Sequence, residues 1–561
     1  MPSPSSSSFS PPLMAPPGVM LSMPPLSSQS PPSSPSSLPS HRLRWTSRVT
    51  GVGTIPPAEW VEDTDTLAAR IPPYLASLFG RHSGTPATEP LKVKVTLLGE
   101  GAFNRVFLIQ TGSEHSLSSL PPSLVLRLSL PVQRFSLPVQ PESKIISEVT
   151  TMRFVKRCTC IPVPQVYMYN ASWTNKLGYE WILMEHMPGQ PLAEVQGGLS
   201  NNARGLVGRT IAEWMDSLCR LQFDKIGALY TADTASDDDG TVVISGTDCN
   251  PVIGQFVHQA YTGDWRTEYR FNRGPFHNLR DYLLSFAQAS NLEIHDPRQR
   301  ARAEIFAHLY SIRRHDYEAR AQEHDDDTSD YDDDPEERLR KETGEERDRR
   351  RARIVEAEAR LEEFLDEKIP KHWAGDGQAG QTMTVREAQA ASPISFTGSR
   401  YDTCELEIQH SAADTLMDII NTVVPNTTLP QKSVVLYHWD MHGFNILVDG
   451  STGQPTALLD WDRLNTIPRI FAQFYPSALQ PNPLSPVPDW HMRMREAFVE
   501  RLKELDSPWL AVKDGGDLSA NDVLYQRILD VASDTYLNFV SVDSLEKELR
   551  SVGEVNISNL A

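Results

Sequence analysis

The chain has 561 residues, which is too long for one compact core and enough for two or three lobes. Its formal net charge of −20 argues against binding to nucleic acid or to an anionic membrane, because no surplus of Lys and Arg can neutralise phosphates. Hydrophobic residues make up 39% of the chain, which is low for a globular protein and indicates that part of it is unfolded.

The first 54 residues are rich in Ser and Pro and predict a disordered tail. Residues 1–58 contain no Asp or Glu and carry Arg42, Arg44 and Arg48, which partly resembles a mitochondrial transit peptide. The many prolines oppose the amphipathic helix of such peptides, so a plain disordered tail is favoured. Five scattered cysteines suit a reducing compartment, and no apolar run predicts a membrane span. We therefore expect a cytoplasmic protein, with a mitochondrial location as the alternative.

A helical extension is predicted for residues 55–90, where Leu67, Ile71 and Leu75 recur at helical spacing. The pattern then changes to strands. Residues 91–187 predict three strands, a helix and two further strands, in the order β-β-β-α-β-β. This stretch is predicted to form the smaller lobe and to bind a nucleotide.

Three residues of this stretch are candidates for binding nucleotide phosphates, and a fourth is a candidate for steadying one of them. Gly99 and Gly101 predict a turn whose backbone N–H groups can approach phosphates, although an ordinary hairpin turn has the same pattern. Arg127 lies inside the apolar run 124–128, where a charge is costly unless it is paired. Glu148 on the following helix is its candidate partner. The alternatives are an edge-strand arginine that faces solvent and an ordinary surface glutamate.

The hinge between the lobes is predicted at Glu185 and Met187, which follow the last of these strands and precede Pro188-Gly189. Their backbone groups are candidates for binding adenine. Residues 188–561 predict a mostly helical lobe. Within it, residues 316–355 predict an acidic low-complexity insertion, which is a candidate surface for a protein partner.

The segment Leu436–Asp462 contains the residue types that phosphoryl transfer from ATP requires. That reaction needs a carboxylate for the attacking hydroxyl and oxygen ligands that hold magnesium against the phosphates. The spacing His438-x-Asp440-x-x-x-x-Asn445 matches the catalytic loop of kinases, with Trp439 where protein kinases carry Arg. His438 is expected to brace this loop through hydrogen bonds.

Two apolar runs, Ile446–Val448 and Ala457–Leu459, predict short buried strands joined by a turn that contains two glycines. This hairpin would place Asn445 just before one strand and Asp460 at the end of the other. The two side chains would then lie side by side as magnesium ligands. Ordinary turn residues are the alternative. Asp462 is expected to bind substrate or to cap the next segment, and the cap is favoured.

These motifs resemble the aminoglycoside phosphotransferase/choline kinase-like family. The resemblance covers roughly Val93 to Pro476, and Arg273–Phe276 is similar to a segment of its fungal members. The segments that carry it are LLGEGAFNRVFLI, LVLRLSL, WILMEHMPG, YHWDMHGFNILVD and LLDWD. It implies an α+β, protein kinase-like fold of two lobes, with a small antiparallel β-sheet lobe and a larger, mainly helical lobe.

The resemblance also implies a role for each candidate residue. Asp440 would be the catalytic base or would orient the hydroxyl group. Asn445 and Asp460 would be magnesium ligands. Arg127 would contact the phosphates of ATP, with Glu148 as its partner.

Three departures argue against a protein kinase. Asn104 replaces the third glycine of the glycine-rich loop, Asp460-Trp461-Asp462 replaces Asp-Phe-Gly, and no Ala-Pro-Glu follows. The first hypothesis is therefore an ATP- and magnesium-dependent kinase that phosphorylates a hydroxyl of a small molecule. A pseudokinase-like binding or scaffold protein is the alternative, because an arginine stands at the usual lysine position. A protein Ser/Thr kinase is ranked third.

Overall fold

In a computed structural model, the chain is described over residues 44–45, 58–59, 64–83, 93–100, 104–111, 120–129, 141–172, 175–231, 236–244, 249–262, 266, 269–295, 403–472, 475–480, 489–510, 520–533 and 539–552. Gly101 and the predicted acidic insertion at 316–355 lie outside these described residues, as does most of the predicted tail. Near the end of that tail, Arg44–Trp45 pairs with Ala58–Glu59 as two short antiparallel strands.

The elements of the described ranges are as follows. The strands are β1 (Arg44–Trp45), β2 (Ala58–Glu59), β3 (Val93–Glu100), β4 (Asn104–Thr111), β5 (Ser123–Ser129), β6 (Val166–Asn170), β7 (Trp181–Glu185), β8 (Gln190–Pro191), β9 (Gln222–Phe223), β10 (Gly227–Tyr230), β11 (Thr241–Val243), β12 (Val252–Gly254), β13 (Val434–Tyr437), β14 (Ile446–Val448), β15 (Pro455–Leu458) and β16 (Asn465–Pro468). The helices are α1 (Thr64–Ser83), α2 (Pro141–Cys158), α3 (Leu192–Val195), α4 (Asn201–Arg220), α5 (Gln259–Thr262), α6 (Leu279–Ile294), α7 (Thr403–Val423), α8 (Asp489–Glu504), α9 (Ala520–Ala532) and α10 (Phe539–Val552).

The small lobe is a six-stranded antiparallel sheet in the order β11-β6-β7-β5-β4-β3. One face is covered by α1, whose buried residues Leu67 and Ile71 share a core with Leu126 of β5. Ile145 of α2 belongs to a second core, which Ile182 of β7 shares. The central strand β5 therefore lies between two apolar layers, which explains its run of buried residues.

Strand β11 returns from the sequence of the predicted large lobe and pairs with β6 at the edge of the small-lobe sheet. In sequence this strand follows the predicted boundary between the two lobes at residues 187 and 188, but it belongs to the small-lobe sheet. The turn before it contacts α1. Arg81 lies 3.3 Å from Asp237 and 3.4 Å from Asp239, and the hydroxyl of Tyr74 lies 3.3 Å from the Asp239 carboxylate. These polar contacts fix α1 on the small lobe.

The large lobe contains helices and two further sheets. Helix α4 packs against α8, and α6 packs against α7. An antiparallel five-stranded sheet has the order β12-β10-β16-β13-β9, and a three-stranded sheet has the order β15-β14-β8. The predicted α+β fold of two lobes is thus confirmed, although the larger lobe holds more sheet than its helical pattern predicted. Among the described residues, no helix combines the length and the apolar character needed to cross a bilayer.

Helices α4 and α8 approach each other closely at Gly208. A Cβ at this position would lie 2.1 Å from the main-chain oxygen of Met494, whereas a Cβ at Gly205 would meet only the side chain of Arg493 at 3.8 Å. We expect Gly208→Ala to lower the free energy of unfolding by about 1–3 kcal/mol, because the helices must move apart. Gly205→Ala should raise it by up to about 1 kcal/mol, because alanine favours a helix.

Chemical denaturation of both variants measures this difference. Equal effects at the two glycines would show that the packing of α4 on α8 is not as described.

Candidate active site

Arg127 lies on β5, between β4 and β7, and is almost fully buried. Its Nη2 donates a short hydrogen bond to the carboxylate of Glu148 on α2, and its Nη1 lies 3.6 Å from Oδ1 of Asp460. Glu148 is only 3% exposed. An edge-strand arginine and a surface glutamate are therefore both excluded, and a small-lobe cation contacts the acidic motif of the large lobe.

The charged groups around Arg127 shift one another's pKa values. Burial alone would lower the pKa of Arg127, but Glu148 and Asp460 outweigh it and hold that pKa above its usual value. Burial raises the pKa of Glu148, Arg127 opposes this shift, and Asp462 reinforces it. The arginine is thus firmly charged, while the glutamate depends on it to remain ionised.

The catalytic-loop sequence forms a tight turn between β13 and β14. The N–H of His442 donates to the main-chain oxygen of Asp440 at 2.9 Å. The amide nitrogen of Asn445 donates to the same oxygen at 2.8 Å and lies 3.3 Å from Oδ2 of Asp440. Since the nitrogen of Asn445 faces Asp440, its amide oxygen points away from the aspartate and can serve a ligand. The Asp440 side chain is 58% exposed and open to solvent.

The hairpin β14–β15 places Asn445 and Asp460 at the same end. Its ladder pairs Ile446 with Leu458, and the N–H of Leu459 donates to the main-chain oxygen of Asn445 at 2.8 Å. Asp460 follows directly, with φ of 57°, in the left-handed region that few residues other than glycine adopt. That conformation is a local strain of the kind found at ligand sites. The roles of both residues as ligands stay predictions.

His438 joins the two halves of this site. It is buried, its Nε2–H donates to the main-chain oxygen of Leu459 at 3.2 Å, and its ring packs edge-on against Trp461. Burial lowers the pKa of His438 to about 4, although Asp460 opposes the shift. A neutral imidazole in this place braces the loop against the turn and is shielded from solvent.

The neutral state of His438 predicts a dependence of stability on pH. Unfolding returns the pKa of a histidine to about 6.5, so between pH 6.5 and 4 the unfolded chain binds more protons than the folded one. The free energy of unfolding should therefore fall as the pH decreases through that window, by up to about 3 kcal/mol from this residue. Denaturation of wild type and His438→Gln at pH 7 and pH 4.5 measures it, because glutamine can donate the hydrogen bond and does not titrate.

The wild type should lose more stability than the variant over this interval. A parallel loss in both proteins would assign the dependence to other groups, such as His258, whose pKa burial also lowers to about 4.

Asp462, like Asp460, pairs with a cation of the small lobe, whereas Trp461 between them is buried and its indole donates to the Leu458 oxygen at 2.9 Å. Its Oδ2 lies 3.1 Å from Nζ of Lys144 on α2. The favoured expectation of a helix cap did not foresee this pair. Lys144 was missed altogether, although its place one turn before Glu148 puts both residues on one face of the helix.

The predicted hinge is only partly available for adenine. The N–H of Glu185 donates to the Gln165 oxygen at 2.8 Å, and its carboxylate accepts from the Gln165 N–H at 3.0 Å and pairs with Lys156 at 3.3 Å. Pairing with Gln165 thus occupies the N–H of Glu185, and the binding of adenine by backbone groups of the hinge stays a prediction. Met187 is half-buried in the linker, and Gly99 lies exposed near the end of β3.

The polar atoms of the site fit a nucleotide with magnesium. Four buried atoms of the site have no hydrogen-bond partner among the described residues: Nε of Arg127, Nδ1 of His438, Oδ1 of Asp460 and Oδ1 of Asp462. Within the same ranges, no group of three or more His, Cys, Asp or Glu could hold a metal. One carboxylate and one amide still suit Mg²⁺, which keeps several waters and takes its other oxygens from phosphates.

No family model matches the chain. A subtelomeric hrmA-associated cluster protein of Aspergillus fumigatus is 27% identical over 181 residues, which is 32% of this chain and 32% of that protein. Altered inheritance of mitochondria protein 9, mitochondrial, of Debaryomyces hansenii is 29% identical over 170 residues, which is 28% of this chain and 25% of that protein. The chain thus spans about a quarter to a third of the length of these curated relatives.

Two solved structures that align with the chain are aminoglycoside phosphotransferases. The apo form of a thermostable APH(4)-Ia mutant has a TM-score of 0.32 and 13% identity, covering 86% of this chain and 100% of that one. The streptomycin–ATP complex of APH(2″)-IIa has a TM-score of 0.32 and 8% identity, covering 84% and 95%. Values this low say nothing about the activity of this chain. Membership of the family that its motifs resemble therefore stays a prediction.

Proposed function

We propose that this chain is an ATP- and magnesium-dependent phosphotransferase that acts on a hydroxyl group of a small molecule. The observation that supports it best is the contact of Arg127, held by Glu148, with Asp460. This contact brings the buried guanidinium of Arg127, from the small lobe, to the carboxylate of Asp460, which the motifs predict to be a magnesium ligand. Asn445, at the same end of the hairpin, connects that point to the exposed carboxylate of Asp440.

Each residue then has a part in the reaction. Asp440 orients the acceptor hydroxyl and takes its proton as the oxygen attacks the γ-phosphorus. Asn445 and Asp460 would hold Mg²⁺, which supplies charge neutralisation at the phosphates when bound. Arg127 contacts the α- and β-phosphates through its planar guanidinium. The bond from the γ-phosphorus to the bridging oxygen breaks, and ADP leaves.

The alternative is a pseudokinase-like scaffold that binds nucleotide without turning it over. The arginine at the lysine position favours it, whereas Asp440, Asn445 and Asp460 are all present and favour an enzyme. For the location, the relatives named as mitochondrial support the mitochondrial alternative, and the acid-free stretch 1–58 agrees with it.

Thermal melting with and without Mg²⁺ and ATP tests nucleotide binding. A site filled at 100 times its dissociation constant adds about 2.7 kcal/mol of stability. Release of ADP across a panel of hydroxylated metabolites then tests turnover. Turnover supports the enzyme, a shift in melting without turnover on any acceptor supports the scaffold, and no shift at all contradicts both. Labelling of protein acceptors alone would favour a protein kinase.

A further inference from the structure

Helix α2 presents two oppositely charged residues, one turn apart, to two different lobes. Glu148 binds Arg127 of the small-lobe strand β5. Lys144 binds Asp462, which belongs to the large lobe, with 3.1 Å between Nζ and Oδ2. Both side chains of this second pair are nearly buried, at 14% and 13% exposure. The pair is therefore a shielded ionic contact between lobes and differs from an ordinary surface salt bridge.

The partner that Asp462 has on its own side cannot replace this contact. Arg463 lies 3.4 Å away through Nε, but it is the next residue in the chain and moves with the turn. The second carboxylate oxygen of Asp462 is buried without a hydrogen-bond partner. Removing one partner of such a pair leaves an uncompensated buried charge, which is strongly destabilising.

The turn that carries Asp462 is strained at both ends. Asp460 has φ of 57° and Arg463 has φ of 56°, and neither is glycine. Such conformations are unfavourable for residues other than glycine and persist only where the surroundings fix them. The large lobe holds this turn at Trp461, which is buried and whose indole donates a hydrogen bond to the main-chain oxygen of Leu458. The small lobe contacts the turn through Lys144, which pairs with Asp462, and through Arg127, which lies near Asp460.

These two cations are not equivalent. Arg127 is 3.6 Å from Asp460 and, under the proposed function, turns to the phosphates of bound ATP. Lys144 makes the shorter contact and lies at the start of α2. We propose that Lys144 is a positioning residue that holds the Asp460–Asp462 turn, and through it the metal-binding carboxylate, against the small lobe. Its effect on catalysis rests on the proposed function, whereas its effect on the turn does not.

Hydrogen–deuterium exchange of the protein without nucleotide tests the proposal directly. In Lys144→Met, which keeps the aliphatic stem and removes the charge, a peptide that covers residues 458–466 should exchange about tenfold faster or more. A peptide from α6 should be unchanged. Asp462→Asn should give the same local increase, and the double variant should add nothing beyond either single one. Lys144→Arg should restore protection.

The matched control is Lys547→Met, which removes a lysine from an exposed pair with Asp543 at 2.6 Å. It should leave the 458–466 peptide as in wild type. Exchange in Lys144→Met that equals wild type, or that rises only in Asp462→Asn, would overturn the proposal. If Lys144→Met does not fold, Lys144→Gln compared with Lys144→Arg replaces it.

A second readout concerns the ligand. Calorimetric titration with Mg²⁺ and AMP-PNP should show about tenfold weaker binding in Lys144→Met than in Lys144→Arg, with the loss confined to the magnesium-containing titration. A loss of the same size without magnesium would instead contradict a role through Asp460. If the wild type binds no nucleotide, the proposed function fails, and the exchange experiment still decides whether Lys144 holds the turn.

Discussion

Replacing Asp440 by alanine should slow phosphoryl transfer by at least about 100-fold and leave the fold and the affinity for ATP nearly unchanged. The carboxylate is 58% exposed, so it contributes little to packing. The hydrogen bond that Asn445 makes to the main-chain oxygen of residue 440, at 2.8 Å, does not need the side chain. Loss of a positioned base typically reduces the rate by about 10²–10⁴-fold. The turnover number with the best acceptor of the panel measures it.

The same variant separates the enzyme from the scaffold. The melting temperature and its rise with Mg²⁺ and ATP should match wild type, because the residues assigned to the nucleotide remain. Asp543→Ala, which removes another exposed carboxylate, one that pairs with Lys547 within α10, is the control and should keep full activity. Retained turnover in Asp440→Ala would remove the aspartate from the mechanism and, with it, the assignment of the catalytic loop.

The small lobe could be predicted because its signals are local. Alternation in 93–97 and the apolar run at 124–128 determine strands, and helical spacing in 142–157 determines α2. The hairpin after Asn445 was predicted for the same reason, since its two strands are joined by one short turn. The buried state of Arg127 followed from its apolar neighbours.

The sheet of the large lobe was missed because its pairs are distant in sequence and its strands are short. Strand β10 at 227–230 pairs with β16 at 465–468, and β9 at 222–223 has only two residues. Strand β9 is too short to show a period of two, and the four residues of β10 and of β16 do not alternate between apolar and polar. The pairing of Lys144 with Asp462 was missed for a related reason, because a contact between lobes depends on how the lobes pack.

Replacing Arg127 by methionine should have the largest effect on both stability and binding. The variant leaves Glu148 buried without its partner, and breaking a buried ion pair in this way costs about 3–5 kcal/mol. It also removes the group assigned to the phosphates. Chemical denaturation should show the loss of stability, and melting with Mg²⁺ and ATP should show no rise.

A double variant separates these two effects. In Arg127→Met combined with Glu148→Leu, no charge is left unpaired between β5 and α2, and apolar replacement of a buried pair is often neutral or stabilising. The double variant should therefore recover most of the stability lost in Arg127→Met while still failing to bind ATP. Recovery of binding together with stability would show that Arg127 acts only as a structural partner of Glu148. Binding that stays lost in a stable protein would show that Arg127 serves the nucleotide site beyond its pairing with Glu148, either by contacting the phosphates or by holding Asp460, which lies 3.6 Å away.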